Sequence, residues 1–270
     1  MDIEQAIAVG EAATRTAGAV LRHHFGKTLS IRKKGVIDLV TEADLAAEKA
    51  IITALRKTFP HHLIRAEESG RSGDDTRFAW IVDPLDGTTN FAHQLPLFAV
   101  SVAYQVDGHT MAAWVFNPVS DQFFSAVRGQ GTYCNGQPIY CSRTAHLEEA
   151  LLVTGFAYNI REKIDPVMAR FRRCLAVVQG VRRLGSAALD LCLVASGSFD
   201  GFWEEDLKPW DTAAGALIVT EAGGYVTNFQ GEPHDPDQRE ILATNSRIHA
   251  QMLACLKGEK PRELWPGRPI

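Results

Sequence analysis

Apolar residues recur at helical spacing through the first part of the chain, where Ile3, Ile7, Gly10, Thr14, Ala17 and Leu21 fall on one stripe. The spacing predicts an amphipathic helix that packs on a core and ends at Gly26. Leu29 to Val40 sets Ile31, Val36, Ile37 and Val40 among basic residues, which predicts extended structure with a turn at Gly35. Thr41 then precedes a periodic run through Ala47, Ile51, Ala54 and Leu55 to Phe59-Pro60, the pattern of a capped helix stopped by proline. Leu63 to Ala66 predicts a short strand with Glu67-Glu68 at its end. Residues 70 to 77, rich in Gly, Ser, Asp and Arg, predict an exposed loop. Residues 79 to 82 predict a buried strand that ends at Asp83, because Pro84 has no N–H for a ladder and favours a turn.

Beyond that turn, Phe98 to Val106 and Met111 to Phe116 predict two strands joined at Asp107-Gly108, a strong hairpin signal. Gln122 to Val127 extends the sheet, and 131 to 145 predicts short irregular strands. Gly129-Gln130-Gly131 lacks the third glycine and the helix of a dinucleotide fingerprint and is taken as a turn. From Leu147 the pattern changes. Ala150 to Gly155 predicts a strand, Pro166 to Val178 a helix, and Gly185-Ser186 opens another helix that Gly197 closes. Phe199 to Glu204 predicts a strand, and Pro209-Trp210-Asp211 leads into a helix closed by Gly223-Gly224. Short strands follow over 225 to 245, then a last helix over Arg247 to Leu256. The Pro-rich tail 258 to 270 is expected to be flexible. No repeat or linker divides the chain, so 1 to 257 is read as one unit, its halves about 1 to 146 and 147 to 257 with a cleft between them.

The chain has 270 residues, 46% hydrophobic and 22% charged, which is an ordinary globular composition. Its formal charge of −4 gives no footprint for nucleic acid as a primary partner. Arg32-Lys33-Lys34 and Arg170-Arg172-Arg173 are short enough to be solvated faces. Five cysteines, Cys134, Cys141, Cys174, Cys192 and Cys255, make no Cys-x-x-Cys pair and are odd in number, which argues against a disulfide framework and for a reducing cytoplasm. The start of the chain is acidic where a signal peptide is basic, and no apolar run reaches the ~20 residues of a membrane helix, so no membrane partner is expected.

The candidate chemistry lies in Trp80 to Phe91. A turn at Pro84 would let the carboxylates of Asp83 and Asp86 converge with the Leu85 carbonyl between them, whereas strand residues three apart face opposite ways. Gly87-Thr88-Thr89-Asn90 offers N–H and hydroxyl donors for an anion. Anion donors beside carboxylates make chemical sense when divalent cations lie between, and hard oxygen ligands at a partly open site suit Mg²⁺. An acidic surface turn is the plain alternative. Asp44 has a capping role open to it, as does Asp211 at a helix start, and only one of Glu67 and Glu68 can face a shared site.

Trp80 to His93 matches throughout the first signature of the inositol monophosphatase family, and the chain resembles that family further at Asp38-Leu39-Val40-Thr41-Glu42-Ala43-Asp44 and at Trp210-Asp211 with its closing Gly-Gly. The resemblance implies an α+β fold layered as an α/β/α/β/α sandwich of the inositol monophosphatase and fructose bisphosphatase type, and a homodimer. It implies an Mg²⁺-dependent phosphatase with two to three ions per site, acting on inositol monophosphate by in-line attack of a metal-activated water, with Li⁺ sensitivity. Glu67, Asp83 and the Leu85 carbonyl would hold one metal and Asp83, Asp86 and Asp211 the second, with a third, weaker ion near Glu67. Asp44 and Thr88 would orient or deprotonate the water, and the N–H groups of Gly87 and Thr88 would hold phosphate. The alcohol would lie against Gly185, Ser186, Ala187 and Glu204, with Lys33 or Lys34 as the basic residue near the metals, spacing favouring Lys33. Two alternatives stay open: the same chemistry on fructose bisphosphate, a 3′-phosphonucleotide or histidinol phosphate, and a metal-stabilised interaction module without useful turnover.

Overall fold

The computed structural model describes residues 3–27 and 39–259, together with the backbone of Ile31–Lys33. In chain order the elements are α1 (Ile3–His24), β1 (Ile31–Lys33), β2 (Leu39–Thr41), α2 (Glu42–Thr58), β3 (His62–Ala66), β4 (Gly70–Ser72), β5 (Asp75–Asp86), α3 (Thr88–Ala92), β6 (Ala99–Val106), β7 (His109–Asn117), β8 (Gln122–Val127), β9 (Thr132–Cys134) and β10 (Gln137–Pro138). The second half adds β11 (Leu151–Thr154), α4 (Ile164–Leu175), β12 (Gly180–Arg182), α5 (Ala187–Ala195), β13 (Gly201–Glu205), α6 (Pro209–Glu221), β14 (Tyr225–Thr227), β15 (Glu240–Thr244) and α7 (His249–Lys257).

An eight-stranded sheet runs β10-β9-β8-β7-β6-β5-β3-β4, and a five-stranded sheet runs β12-β11-β13-β15-β14. α1 and α2 bury Leu21, Ile51 and Leu55 with Trp80 and Trp114 on one face of the larger sheet. On its other face, α5 and α6 share a core with Ile81 and Val115 and reach Phe202 and Ile241 of the smaller sheet. α7 packs with Cys174 of α4 against Leu152, Trp203 and Leu242 on the far side. The layers are therefore α, β, α, β, α, as the resemblance implied. The two middle helices explain their own composition. Buried on both sides, α5 and α6 are apolar nearly all round, unlike the one-sided α1.

Two expectations change. The strand before the acidic motif does not stop at Asp83; β5 runs on to Asp86 with an irregularity, Asp83 pairing with Ser101 and Asp86 with Ala99. Three steps along β5 thus match two along β6. One extra residue is a bulge, and it cancels the half-period that would put residues three apart on opposite faces. Pro84 fits there because a bulge leaves a residue outside the ladder. Residues 70 to 77 are also no simple loop, since β4 pairs antiparallel with β3 and β5 begins at Asp75. Pairing with β3 supplies the hydrogen bonds that the small, polar composition gave no hint of.

Candidate functional site

A cleft of about 440 Å³ opens where the end of β5, the start of α3, the start of α5 and the start of α6 come together. Glu67, Asp83, Leu85, Asp86, Gly87, Thr88, Gly185, Ser186, Ala187, Glu204 and Asp211 all line it. Asp44 lies behind the wall, fully buried, and reaches the cleft through Thr88. Lys33 and Lys34 have side chains outside the described residues.

Each acidic group, or the turn that carries it, is fixed by hydrogen bonds within its own element or to another. The Leu85 N–H donates to Asp83 Oδ1 at 2.9 Å, closing the bulge on itself. Asp86 Oδ2 crosses to the start of α5, accepting from Ser186 Oγ at 2.6 Å and from the Ala188 N–H at 2.7 Å. There it meets the positive end of the helix. Asp211 is at the third position of α6, not its cap, and its Oδ2 accepts from the Lys208 N–H at 2.6 Å. Glu67 sits just past β3, and the turn that presents it is pinned from below by Glu48, whose two oxygens accept the N–H groups of Glu68 and Ser69, both at 2.8 Å. Sequence reasoning passed over Glu48, although its place one helical turn after Asp44 on the buried face of α2 was a signal.

Gathering these acids is costly, and the cost is visible in their ionisation. Burial first, then the charges of Glu67, Asp86 and Asp211, pushes the Asp83 carboxyl well above the ordinary range, and it shares a hydrogen bond with Glu67. Burial raises Asp86 to about 6 against the opposing bonds from Ser186 and Ala188. Burial, then Asp86 and Glu67, drives Asp211 well up. Asp44 is raised by burial and partly restrained by hydrogen bonds from Thr41 and Thr88.

Among the described residues, no three His, Cys, Asp or Glu side chains stand in a finished metal cluster. The donor chemistry nonetheless fits a hard divalent cation. Asp83, Asp86 and Asp211 are each anchored through one oxygen, bear on one another's charge, and stand beside the Leu85 carbonyl with no basic side chain paired to them among the described residues.

Opposite the acids, Gly87 has φ 93° and an added Cβ would stand 2.9 Å from the Leu97 carbonyl oxygen, so glycine alone permits the turn from β5 into α3. The first turn of α3 leaves the N–H groups of Thr88 and Thr89 without intrahelical acceptors. Asn90 fastens the two halves of the chain, donating from Nδ2 to the Leu97 carbonyl at 2.6 Å and to the Leu184 carbonyl at 2.8 Å.

On the far wall the three adjacent acids separate. Glu205 pairs with Arg170 at 2.7 Å and Asp206 with Lys163 at 2.6 Å, while Glu204 lies buried along the cleft. Gly155 makes room for it; a Cβ there would fall 2.0 Å from Glu204 Oε2. The loop from Phe156 to Asn159, together with Arg183, Lys208, Trp210 and Arg239, completes the lining. Trp210 belongs to the Trp-Asp signature read from sequence, but Arg183, Lys208 and Arg239 were not singled out, because exposed cations carry no spacing signal.

A family model described as the inositol monophosphatase family matches residues 2–260. Over 94% of this chain and 90% of its own length, an inositol-1-monophosphatase from Synechocystis is 43% identical. A relative from Pseudomonas aeruginosa named Nus factor SuhB is 41% identical over 93% of this chain and 96% of its own. The solved inositol monophosphatase from Anabaena superposes with a TM-score of 0.88 at 40% identity, covering 98% of this chain and 100% of that one.

Proposed function

We propose, for a chain that belongs to the inositol monophosphatase family, that it is an Mg²⁺-dependent phosphomonoesterase that hydrolyses inositol monophosphate to inositol and phosphate. The observation that carries this reading is the set of carboxyls Asp83, Asp86, Asp211 and Glu67 gathered at the edge of one cleft, where burial raises Asp83 and Asp211 and the charges of Glu67 and Asp86 raise them further. Such a cluster is tolerable at neutral pH when cations share it.

Glu67, Asp83 and the Leu85 carbonyl would hold one ion and Asp83, Asp86 and Asp211 another, with a third near Glu67. When bound, Mg²⁺ supplies Lewis acidity toward the phosphate oxygens and lowers the pKa of water. The chain's own groups do the rest. The N–H groups at the start of α3, at Gly87 and Thr88, bind phosphate. Thr88 and Asp44 orient the water and take its proton: the hydroxyl of Thr88 faces Asp44 Oδ1 on one side and the Leu85 carbonyl on the other. Ser186, held by its bond to Asp86, sits with Gly185 and Ala187 at the alcohol end, and Glu204 accepts hydrogen bonds from the hydroxyls of inositol. The joint core of α5 and α6 with both sheets supports treating the two halves as one folding unit. A homodimer, Li⁺ sensitivity and a cytoplasmic setting belong to the same proposal; no described helix is long and apolar enough to cross a membrane.

Turnover measured with Mg²⁺ on inositol 1-phosphate, fructose 1,6-bisphosphate, a 3′-phosphonucleotide and histidinol phosphate tests it. The highest kcat/KM on inositol 1-phosphate supports the reading, and preference for another ester keeps the chemistry and moves the substrate. The Nus factor name of the Pseudomonas relative favours a second reading, a non-catalytic interaction role for this fold. Asp83→Asn with unchanged turnover would speak for it by placing the measured activity elsewhere.

A further inference from the structure

Glu67, Glu68 and Ser69 form a short turn between β3 and β4, which pair at Ala66 and Gly70 on either side of it. A hairpin turn at the surface can leave its N–H groups to water. Here each of the three is taken by protein. The Glu67 N–H donates to the Val82 carbonyl at 3.2 Å, and those of Glu68 and Ser69 donate to Glu48 Oε2 and Oε1, both at 2.8 Å. Val82 precedes Asp83 on β5, so the turn is tied to the acidic strand on one side and to α2 on the other.

Glu48 is 4% exposed on the buried face of α2, one helical turn after Asp44. Two acceptor oxygens side by side are what a carboxylate offers to neighbouring N–H groups, whereas an amide presents one oxygen and aims hydrogens at the other donor. As a plain fastener the group is costly, because it buries a further acid within two residues of Glu67, and Glu67 already shares a hydrogen bond with Asp83. What the carboxylate gains is position. The same helix carries Asp44, whose Oδ1 lies 3.2 Å from Thr88 Oγ1, so two residues four apart on one face hold both Thr88 and the turn of Glu67.

Resting on the phosphatase reading, we propose that Glu48 is a positioning residue that presets the Glu67 carboxylate for a divalent cation by holding the Glu68 and Ser69 N–H groups. It would tune the affinity of the ion shared by Glu67, Asp83 and the Leu85 carbonyl without touching it, and leave the ion of Asp86 and Asp211 unaffected. Without Glu48, two of the turn's three N–H groups lose their acceptor, and the cation must order the turn as it binds. With Glu48 that ordering is complete in the folded chain.

The test titrates the full-length protein, stripped of cations, with Mn²⁺ in the presence of inorganic phosphate and follows binding by calorimetry. It compares wild type, Glu48→Gln, Glu48→Asp, Glu67→Gln, Asp211→Asn and the double variant Glu48→Gln/Glu67→Gln, where Glu67→Gln and Asp211→Asn identify the two binding events. The proposal expects Glu48→Gln to weaken the event sensitive to Glu67→Gln by about 10-fold or more, the scale for a partner that holds a ligand in place, and to change the event sensitive to Asp211→Asn by less than about two-fold. Glu48→Asp, which keeps the charge but ends one methylene short, loses as much, and the double variant binds no more weakly than Glu67→Gln alone. In turnover of inositol 1-phosphate, the Mg²⁺ concentration at half-maximal rate rises by the same factor, with a smaller change in kcat at saturating Mg²⁺.

Affinity kept in Glu48→Asp would make the effect one of charge alone and overturns the proposal. Equal weakening of both events, or a lower Tm with both events unchanged, overturns it as well. Hydrogen exchange in cation-free wild type needs no variant: the amides of Glu68 and Ser69 are protected before Mn²⁺ is added, and fast exchange there overturns the preset turn. Wild-type protein that binds no Mn²⁺ overturns the metal reading itself, whereas two normal binding events left unchanged by Glu48→Gln overturn only the role given to Glu48.

Discussion

Thr88 Oγ1 stands 3.2 Å from Asp44 Oδ1, and through this contact a helix-capping acid on α2 reaches the cleft from behind its wall. Asp44 Oδ2 accepts from the Thr41 N–H at 2.8 Å and the Thr41 hydroxyl at 2.6 Å, which closes the capping box. The capping role of Asp44 and the catalytic role proposed for it do not compete, because each uses a different oxygen. Asp44→Asn keeps the shape but loses the base. Its kcat is expected to fall by about 10²-fold or more, the usual scale for a general base. Asp44→Ala should lose a comparable amount and also about 0.5–2 kcal/mol of stability with the cap. Steady-state rates beside thermal melts check both, and unchanged kcat in Asp44→Asn would remove the residue from the mechanism.

Cation binding should stabilise the fold in a pH-dependent way. With no cation bound, acids raised in the folded state hold protons more tightly than in the unfolded chain. Their contribution is complete below the ordinary carboxylate pKa of about 4 and is lost as pH rises through the folded values, about 6 for Asp86. Mg²⁺ relieves that loss and competes with protons for the same oxygens. The rise in Tm on adding Mg²⁺ should therefore be larger near pH ~7.5 than near pH ~5, the underlying stabilisation reaching about 2.7 kcal/mol at a hundred-fold excess over Kd. Equal shifts at the two pH values would contradict it.

His249 supplies a pH effect of opposite sign away from the cleft. It is buried between the hydroxyls of Thr227 at 3.0 Å and Thr244 at 2.9 Å, and burial pushes its pKa down to about 4. The neutral ring is favoured in the fold, so its contribution is full above the unfolded value of ~6.5 and is lost as pH falls toward the folded one. The stability advantage of wild type over His249→Gln, measured by urea unfolding, should shrink between pH 6.5 and 4. A difference that stays constant would show that the ring acts by packing alone.

Gly155→Ala places a methyl where Glu204 lies, 2.0 Å from Oε2, so the carboxylate must move. KM for inositol 1-phosphate should rise about ten-fold, with a much smaller change in kcat, since the acid end of the cleft is untouched. A drop confined to kcat would place Glu204 in the chemical step instead.

Much of this was legible in order along the chain. Thr41 as a cap, Asp107-Gly108 as a hairpin with φ 50° and 79°, Gly185-Ser186 as the opening of α5, and the alternation of elements all follow from local chemistry. So did the acids that line the cleft, because the strand-end motif is long. The bulge between Asp83 and Asp86 was not legible as such: proline marks a break in pairing, and whether the chain turns or bulges depends on β6, which comes later. β12 was missed because Gly180–Arg182 is short and its pairing comes from β11, nearly thirty residues away. The role of Glu48 was hidden for a similar reason, because the turn it holds, at Glu68 and Ser69, comes later in the chain. A charged residue on the buried face of a helix signals a function only when its surroundings are known.

The most direct measurement is anomalous diffraction at the manganese edge from crystals grown with Mn²⁺ and phosphate. Two peaks about 3.5–4 Å apart, bridged by Asp83 and flanked by Glu67, Asp86 and Asp211 with phosphate against the start of α3, are what the account predicts. Ordered phosphate in the cleft with no manganese beside those four carboxylates would contradict it.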